Sequence, residues 1–192
     1  MLVAIGGVPG GGKTTLAGAV AEALGPRAMA VSADGFHIRR ALLTPDQVRR
    51  RGAPDTFDTA ALRRALRRAH SRANSFAWPA FDHAAGDPDL AGGPRLTDAH
   101  TILIIDGLYL LLDRDAHVDW LGVRDLFDVR CLVQCELSTV CDRLVARHVA
   151  TGTGGIKTEA EAWAHVNGSD AVNARFIQSH STEEMDVMVD TT

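Results

Sequence analysis

The sequence predicts an α/β three-layer sandwich: a mostly parallel five-stranded sheet with helices on both faces and a small lid. Three observations predict it. Apolar, strand-like runs at 2–5, 28–32, 101–105, 129–134 and 186–189 alternate with helical patterns. The first run leads directly into the glycine-rich stretch Gly6-Gly7-Val8-Pro9-Gly10-Gly11-Gly12-Lys13-Thr14-Thr15, which Leu16 to Leu24 continues as a helix. The run Thr101 to Ile105 ends on a carboxylate, Asp106.

Taken in chain order, the first strand, loop and helix have the form of a phosphate-binding loop, so the predicted fold is that of a P-loop NTPase. Glycines let backbone N–H groups converge on a polyphosphate, a lysine bridges its outer phosphates, and a threonine hydroxyl suits Mg²⁺. Gly7, Pro9, Gly10, Gly11, Gly12, Lys13, Thr14 and Thr15 are the expected nucleotide-binding residues. Lysine otherwise occurs only at Lys157 in this arginine-rich chain. Lys13 thus stands where the loop needs a compact point charge that a longer, forked arginine does not supply.

The second strand gives way to Asp34-Gly35-Phe36-His37. A carboxylate beyond the carboxyl end of a parallel strand lies near the loop mouth, where it can orient or deprotonate an attacking hydroxyl, although Asp-Gly is also a turn dipeptide. Thr44-Pro45-Asp46-Gln47 combines an N-cap, a first-turn proline and a capping-box glutamine. Asp58 or Thr59 caps a second helix, with Leu62, Ala65, Leu66 and Ala69 turned inward and Arg63, Arg64, Arg67 and Arg68 forming a solvated face. Glycines and prolines over 84–97 mark a loop leading into a returning strand. Asp106 then ends a buried run as a Walker B carboxylate does, placed to hold Mg²⁺ or to assist proton transfer. Ser138 opens a third helix that runs to about Ala150 and carries Arg143 and Arg147 on one face, just before the flexible Thr151-Gly152-Thr153-Gly154-Gly155. Closure of that stretch would bring either guanidinium onto a transferring phosphoryl group; a solvated helix end is the other reading. The chain reads as a single domain, 1–192, with a lid at about 148–160 and an acceptor-site insertion at about 35–97.

With 192 residues, 46% of them hydrophobic, the chain can bury one substantial core. A net charge of -4, and arginine helices without interleaved aromatics, argue against a nucleic-acid partner. Cys131, Cys135 and Cys141 are odd in number, and Cys131 and Cys135 fall on one face of a predicted strand; reduced, buried thiols are expected rather than a metal site. No 18-residue apolar run occurs, and the first residues already belong to the loop strand, so the expectation is a cytoplasmic protein without a membrane segment. The two lysine positions exclude an Asn-Lys-x-Asp guanine-reading segment.

These residues, in this order, resemble the superfamily of small-molecule kinases that contains uridine kinase, phosphoribulokinase and the prokaryotic-type pantothenate kinase. The resemblance runs through nearly the whole chain. Asp34-Gly35-Phe36 looks like the acceptor-side aspartate motif, and Arg51-Gly52-Ala53-Pro54-Asp55-Thr56-Phe57-Asp58 is similar to the Gly-x-Pro-x-x-(Tyr/Phe)-Asp segment. Pro79-Ala80-Phe81-Asp82-His83 resembles the Pro-x-Tyr-(Asp/Ser)-His element, and Ser169-Asp170-Ala171-Val172-Asn173-Ala174 a C-terminal segment of kinase-like members. The resemblance implies ATP-dependent, Mg²⁺-assisted phosphorylation of a hydroxyl on a small metabolite such as a nucleoside, a sugar or a pantothenate-like acid. It implies catalytic roles for Lys13, Asp34, Asp106, Arg143 and Arg147, and metal contacts from Thr14 and Asp106. The acceptor would be lined by Asp34, His37, Arg51, Phe57, Asp58, Phe81, His83, Tyr109 and Asn173, with Phe36 and Trp78 also shaping the pocket. Two positions depart from the family pattern. Asp106 stands where many relatives carry glutamate, and the lid lacks the arginine-glycine-arginine pattern of uridine kinases. An ATPase or nucleotide switch acting on a protein partner is the alternative, which would leave Asp34, Asp58 and His83 unexplained. A homodimer is left open.

Overall fold

The computed structural model of the protein describes residues 1–71, 75–152 and 155–192. In chain order its elements are β1 (Leu2–Gly7), α1 (Lys13–Leu24), β2 (Ala28–Ser32), α2 (Pro45–Arg49), α3 (Thr59–His70), β3 (Phe76–Ala77), β4 (Ala80–Asp82), β5 (Asp87–Asp89), β6 (Arg95–Leu96), β7 (Ile102–Gly107), β8 (Val129–Gln134), α4 (Leu137–Thr151), α5 (Glu159–His165), α6 (Ala171–Ser179) and β9 (Val187–Asp190). The order β2-β7-β1-β8-β9 makes one five-stranded sheet in which every pairing is parallel. Residues alternate between its two faces, as strand geometry requires. Ile5, Ile102, Ile104, Cys131 and Val133 meet Ala17, Leu16 and Val20 of α1 on one side. Leu2, Ala4, Leu103, Ile105 and Leu132 meet Leu62 and Leu66 of α3, Val140 and Leu144 of α4, and Ile177 of α6 on the other. The three expected layers follow from that division.

Several boundaries differ from expectation, each for a local reason. Helix α1 begins at Lys13 rather than Leu16, because Gly12 adopts a left-handed conformation (φ 86) and its carbonyl accepts the first helical bond, from Leu16 N–H at 3.0 Å. Helix α4 begins at Leu137 with Glu136 as its N-cap; Ser138 lies inside the first turn, while Leu137 is drawn against the core. Cys131 and Cys135 do not share a sheet face. β8 ends at Gln134, so alternation no longer governs Cys135, and the two thiols pack in different apolar clusters. All three cysteines are free and buried. The 84–97 stretch is more than a loop: β5 pairs with β4 and β6 with β3 as small antiparallel ribbons, which satisfy its backbone groups. The run expected at 101–105 forms β7, which extends to Gly107 because Asp106 and Gly107 stay in register with β1, and the last strand, β9, is displaced by one residue. Thr44 and Gln47 do form the reciprocal capping box, and of the two candidate caps for α3 it is Asp58 that accepts the Ala61 N–H, at 2.8 Å. Among the described residues, no helix is long and apolar enough to cross a membrane.

Candidate active site

Three strand ends deliver the chemistry to one edge of the sheet. Asp106 is in register with Ile5 of β1 on one side and Ser32 of β2 on the other, so the glycine-rich loop, Asp106 and the turn carrying Asp34 lie level at the carboxyl ends of their strands. The loop packs its back on β8: a Cβ at Gly7 would sit 2.3 Å from the Val133 carbonyl oxygen, which leaves room for glycine only. From the far end of the chain, the Thr191 hydroxyl donates to the Gly11 carbonyl at 3.1 Å and ties the loop down.

Lys13 Nζ reaches back across the loop and donates to the Val8 carbonyl at 2.7 Å. Burial lowers its pKa to about 8, against the opposing pull of the Asp34 and Asp106 carboxylates. The Thr14 hydroxyl donates to Asp106 Oδ2 at 2.8 Å. Burial pushes the Asp106 carboxyl above the usual carboxylate range, and the Thr14 hydrogen bond works against that shift. A hydroxyl and a carboxylate oxygen side by side are hard oxygen donors of the kind Mg²⁺ accepts, next to a cradle of backbone amides with a buried ammonium. The residues present fit a Mg²⁺–triphosphate.

Asp34 sits in a single 3₁₀ turn, Ala33–Phe36, whose N-cap Ser32 accepts the Asp34 N–H at 3.2 Å. Gly35 lets this turn press against the segment that leads into β4, since a Cβ there would lie 2.1 Å from the Pro79 carbonyl oxygen. Two clefts meet at this turn. One, of ≈ 370 Å³, is lined by Pro9, Gly10, Gly12 to Thr15, His37, Asp106, Arg143 and Asp170. The other, of ≈ 940 Å³, lies between the 83–86 turn with Arg40 and the end of α4 with its following turn, at His148, Thr151, Gly152 and Gly155. Asp34 and Arg147 line both.

The two arginines of α4 are not equivalent. Arg143 is engaged by the chain end, donating through Nη2 to the Thr191 carbonyl at 2.7 Å and through Nη1 to Cys135 Sγ at 3.4 Å. Arg147 makes no ion pair among the described residues and faces both clefts. Of the expected acceptor residues, Asp34 and His83 line the larger cleft and His37 the smaller. Arg51, Phe57, Asp58, Phe81, Tyr109 and Asn173 line neither cleft. His37 packs on Phe57 and Phe81, at 3.9 and 4.9 Å between ring centroids, and burial lowers its pKa. Arg51 pairs with Asp87 at 2.9 Å and lies over the Phe81 ring. Tyr109 donates to the Gly52 carbonyl at 2.6 Å from within the core, Asp58 caps α3, and Asn173 is buried in α6. Phe36 and Trp78 are likewise core residues, packed edge-on against each other. Thr153 and Gly154, part of the expected flexible stretch and lid, lie outside the described residues.

Three residues that line the clefts were not among the expected site residues: Arg40, His148 and Asp170. His148 Nε2 and Asp170 Oδ2 are 2.8 Å apart, joining α4 to a π-helical turn, Val166–Asp170, between α5 and α6. The signal for Asp170 was its place in the Ser169–Ala174 segment; His148 had only its position beside Arg147, and Arg40 had none.

No family model matches the chain. A Schizosaccharomyces pombe protein named "putative uridine kinase" is 31% identical over 196 residues, covering 94% of this chain and 79% of the relative. A pantothenate kinase of Allorhizobium ampelinum is 30% identical over 155 residues; that match covers 76% of this chain and 47% of the relative, so the chain spans about half of that enzyme's length. Among solved structures, a "putative fructose transport system kinase" from Silicibacter sp. TM1040 superposes with a TM-score of 0.86 at 31% identity, covering 98% of this chain and 88% of the other.

Proposed function

Because this chain belongs to the P-loop kinase superfamily that contains uridine kinase, phosphoribulokinase and pantothenate kinase, we propose that it transfers the γ-phosphoryl group of ATP to a hydroxyl of a small metabolite. The observation that carries this reading is the position of Asp34 on the wall shared by the two clefts. A hydroxyl held in the larger cleft meets a terminal phosphate held in the smaller one at that carboxylate.

The loop amides and Lys13 hold the outer phosphates and neutralise them as charge develops. Thr14 and Asp106 would hold Mg²⁺, which when bound supplies further charge neutralisation on the phosphate oxygens. Asp34 orients the acceptor hydroxyl and takes its proton as the new O–P bond forms and the bond to the ADP oxygen breaks. Arg147 lies where it can follow the phosphoryl group from one cleft to the other; Arg143 holds the α4 helix to the chain end. Most of the acceleration in such a reaction comes from positioning and electrostatics.

The test is ADP release from ATP and Mg²⁺ across a panel of nucleosides, sugars and hydroxy acids, with Asp34→Asn alongside. Turnover with one acceptor class, falling by roughly 10²–10⁴ in the variant while nucleotide still binds, is the expected result. ADP release that ignores every acceptor and survives Asp34→Asn would mean an ATPase without a small-molecule acceptor.

A further inference from the structure

We infer that the acceptor is an oxyanion, a hydroxyl compound bearing a carboxylate or phosphate, and that Arg40 binds its anionic group. The inference rests on the kinase reading above and names the substrate class of the same site. The larger cleft is lined by more basic than acidic side chains. The chain carries a net charge of -4, yet among the described residues lining this cleft Asp34 is the only acid, facing Arg40, Arg147 and the imidazoles of His83 and His148. If Arg147 serves the phosphoryl group, one guanidinium is left on the opposite wall with no assigned partner.

That guanidinium is held in place by the main chain. Arg40 Nε donates to the Gly86 carbonyl at 3.2 Å, and its backbone N–H donates to Asp87 Oδ1 at 2.9 Å. Gly86, at φ 65, turns the chain so closely under the side chain that a Cβ there would lie 3.1 Å from Arg40 Nη2. No ion pair engages Arg40 among the described residues. Anchored through Nε on a carbonyl, with the Asp87 carboxylate engaged by its backbone N–H and by Arg51 and its outer nitrogens in no ion pair among the described residues, the exposed Arg40 guanidinium is free to donate to an oxyanion.

The shape of the cleft points the same way. A nucleoside would want a flat aromatic surface for its base. Phe36, Phe57, Trp78 and Tyr109 are 5%, 5%, 0% and 1% exposed, packed into the core, and none lines the cleft. Phe81 has the rings of His37 and His83 and the Arg51 guanidinium around it. Ala84, Ala85 and Gly86 supply the non-ionic part of the insertion wall, which offers no large apolar slot. A second anion beside a triphosphate also needs its own cation, whereas a neutral sugar or nucleoside needs none.

The experiment uses matched pairs of acceptors, glycerol with glycerate, fructose with fructose 6-phosphate, pantothenyl alcohol with pantothenate, and reads acceptor-dependent ADP release for the native chain, Arg40→Gln and Arg40→Lys. The carboxylate and phosphate members separate the two sources of the anion. The expected result is a kcat/KM at least tenfold higher for the anionic member of one pair. Arg40→Gln then raises the KM for that acceptor tenfold or more with a much smaller change in kcat, and Arg40→Lys recovers part of the loss. Equal or better turnover of the neutral members, or anionic turnover indifferent to Arg40→Gln, overturns the inference and leaves the kinase reading standing. ADP release that no acceptor of either class stimulates, from protein that binds ATP, overturns both.

Discussion

Lys13 carries its charge at a cost. Its folded-state pKa of about 8 lies below the ordinary 10.5, so between those values the unfolded chain binds more protons than the folded one and stability rises with pH; below about 8 the full penalty of a buried ammonium is present. A bound triphosphate supplies the missing counter-charge and draws the proton back. At pH 8.5, calorimetry in two buffers of different ionisation heat should show uptake of roughly three-quarters of a proton per nucleotide, and affinity should fall as pH rises further. Binding without uptake would contradict the arrangement. Asp106 presents the converse case, a carboxyl raised by burial whose oxygen accepts from Thr14. Asp106→Asn keeps an acceptor for that hydroxyl and removes the buried charge. The unliganded variant should melt at a higher temperature than the native chain, while turnover falls by roughly 100-fold or more. A lower melting temperature would mean the carboxylate stabilises the empty fold. Of these residues the sequence displayed Lys13, Thr14 and Asp106 plainly, because their spacing to the glycines and to the strand end is local. It could not display Arg40, whose anchor is a carbonyl 46 residues away.

At the level of elements, legibility followed range in the same way. The caps at Thr44 and Asp58 are chemistry within four residues, and both form. The ribbons β3–β6 and β4–β5 have strands of two or three residues, too short to show a period, and their pairing depends on partners farther along the chain. Alternation misjudged Cys135 for a related reason: a strand's end is set by the neighbour it pairs with. The turn that carries Asp34 is the junction where insertion meets sheet, and Gly35 is its closest point, with the Pro79 carbonyl where a Cβ would go. Gly35→Ala must separate the turn from the segment that leads into β4. It should abolish acceptor-dependent turnover and lower the melting temperature by several degrees, while the glycine-rich loop still binds nucleotide. Loss of nucleotide binding in that variant would show that the two clefts are not separable.

On the scale of the whole molecule, the sheet order was beyond the reach of a sequence pattern, since five apolar runs fit many arrangements and only long-range pairing selects β2-β7-β1-β8-β9. That order has a consequence for biosynthesis. Strand β1 leaves the ribosome before the other strands of the sheet, yet its hydrogen-bonding neighbours are Ile102–Gly107 and Val129–Gln134. Until β7 and β8 are made it is an apolar ribbon with two open edges, the form of chain that pairs with strangers. The phosphate loop at its end has no β8 behind Gly7 during that interval, so nucleotide cannot rescue the nascent chain early. Stalled chains ending before Val129 should be retained by ribosome-associated chaperones and fail to bind immobilised ATP, whereas released full-length chains bind it. The strand that anchors the phosphate site is thus synthesised early and enclosed late.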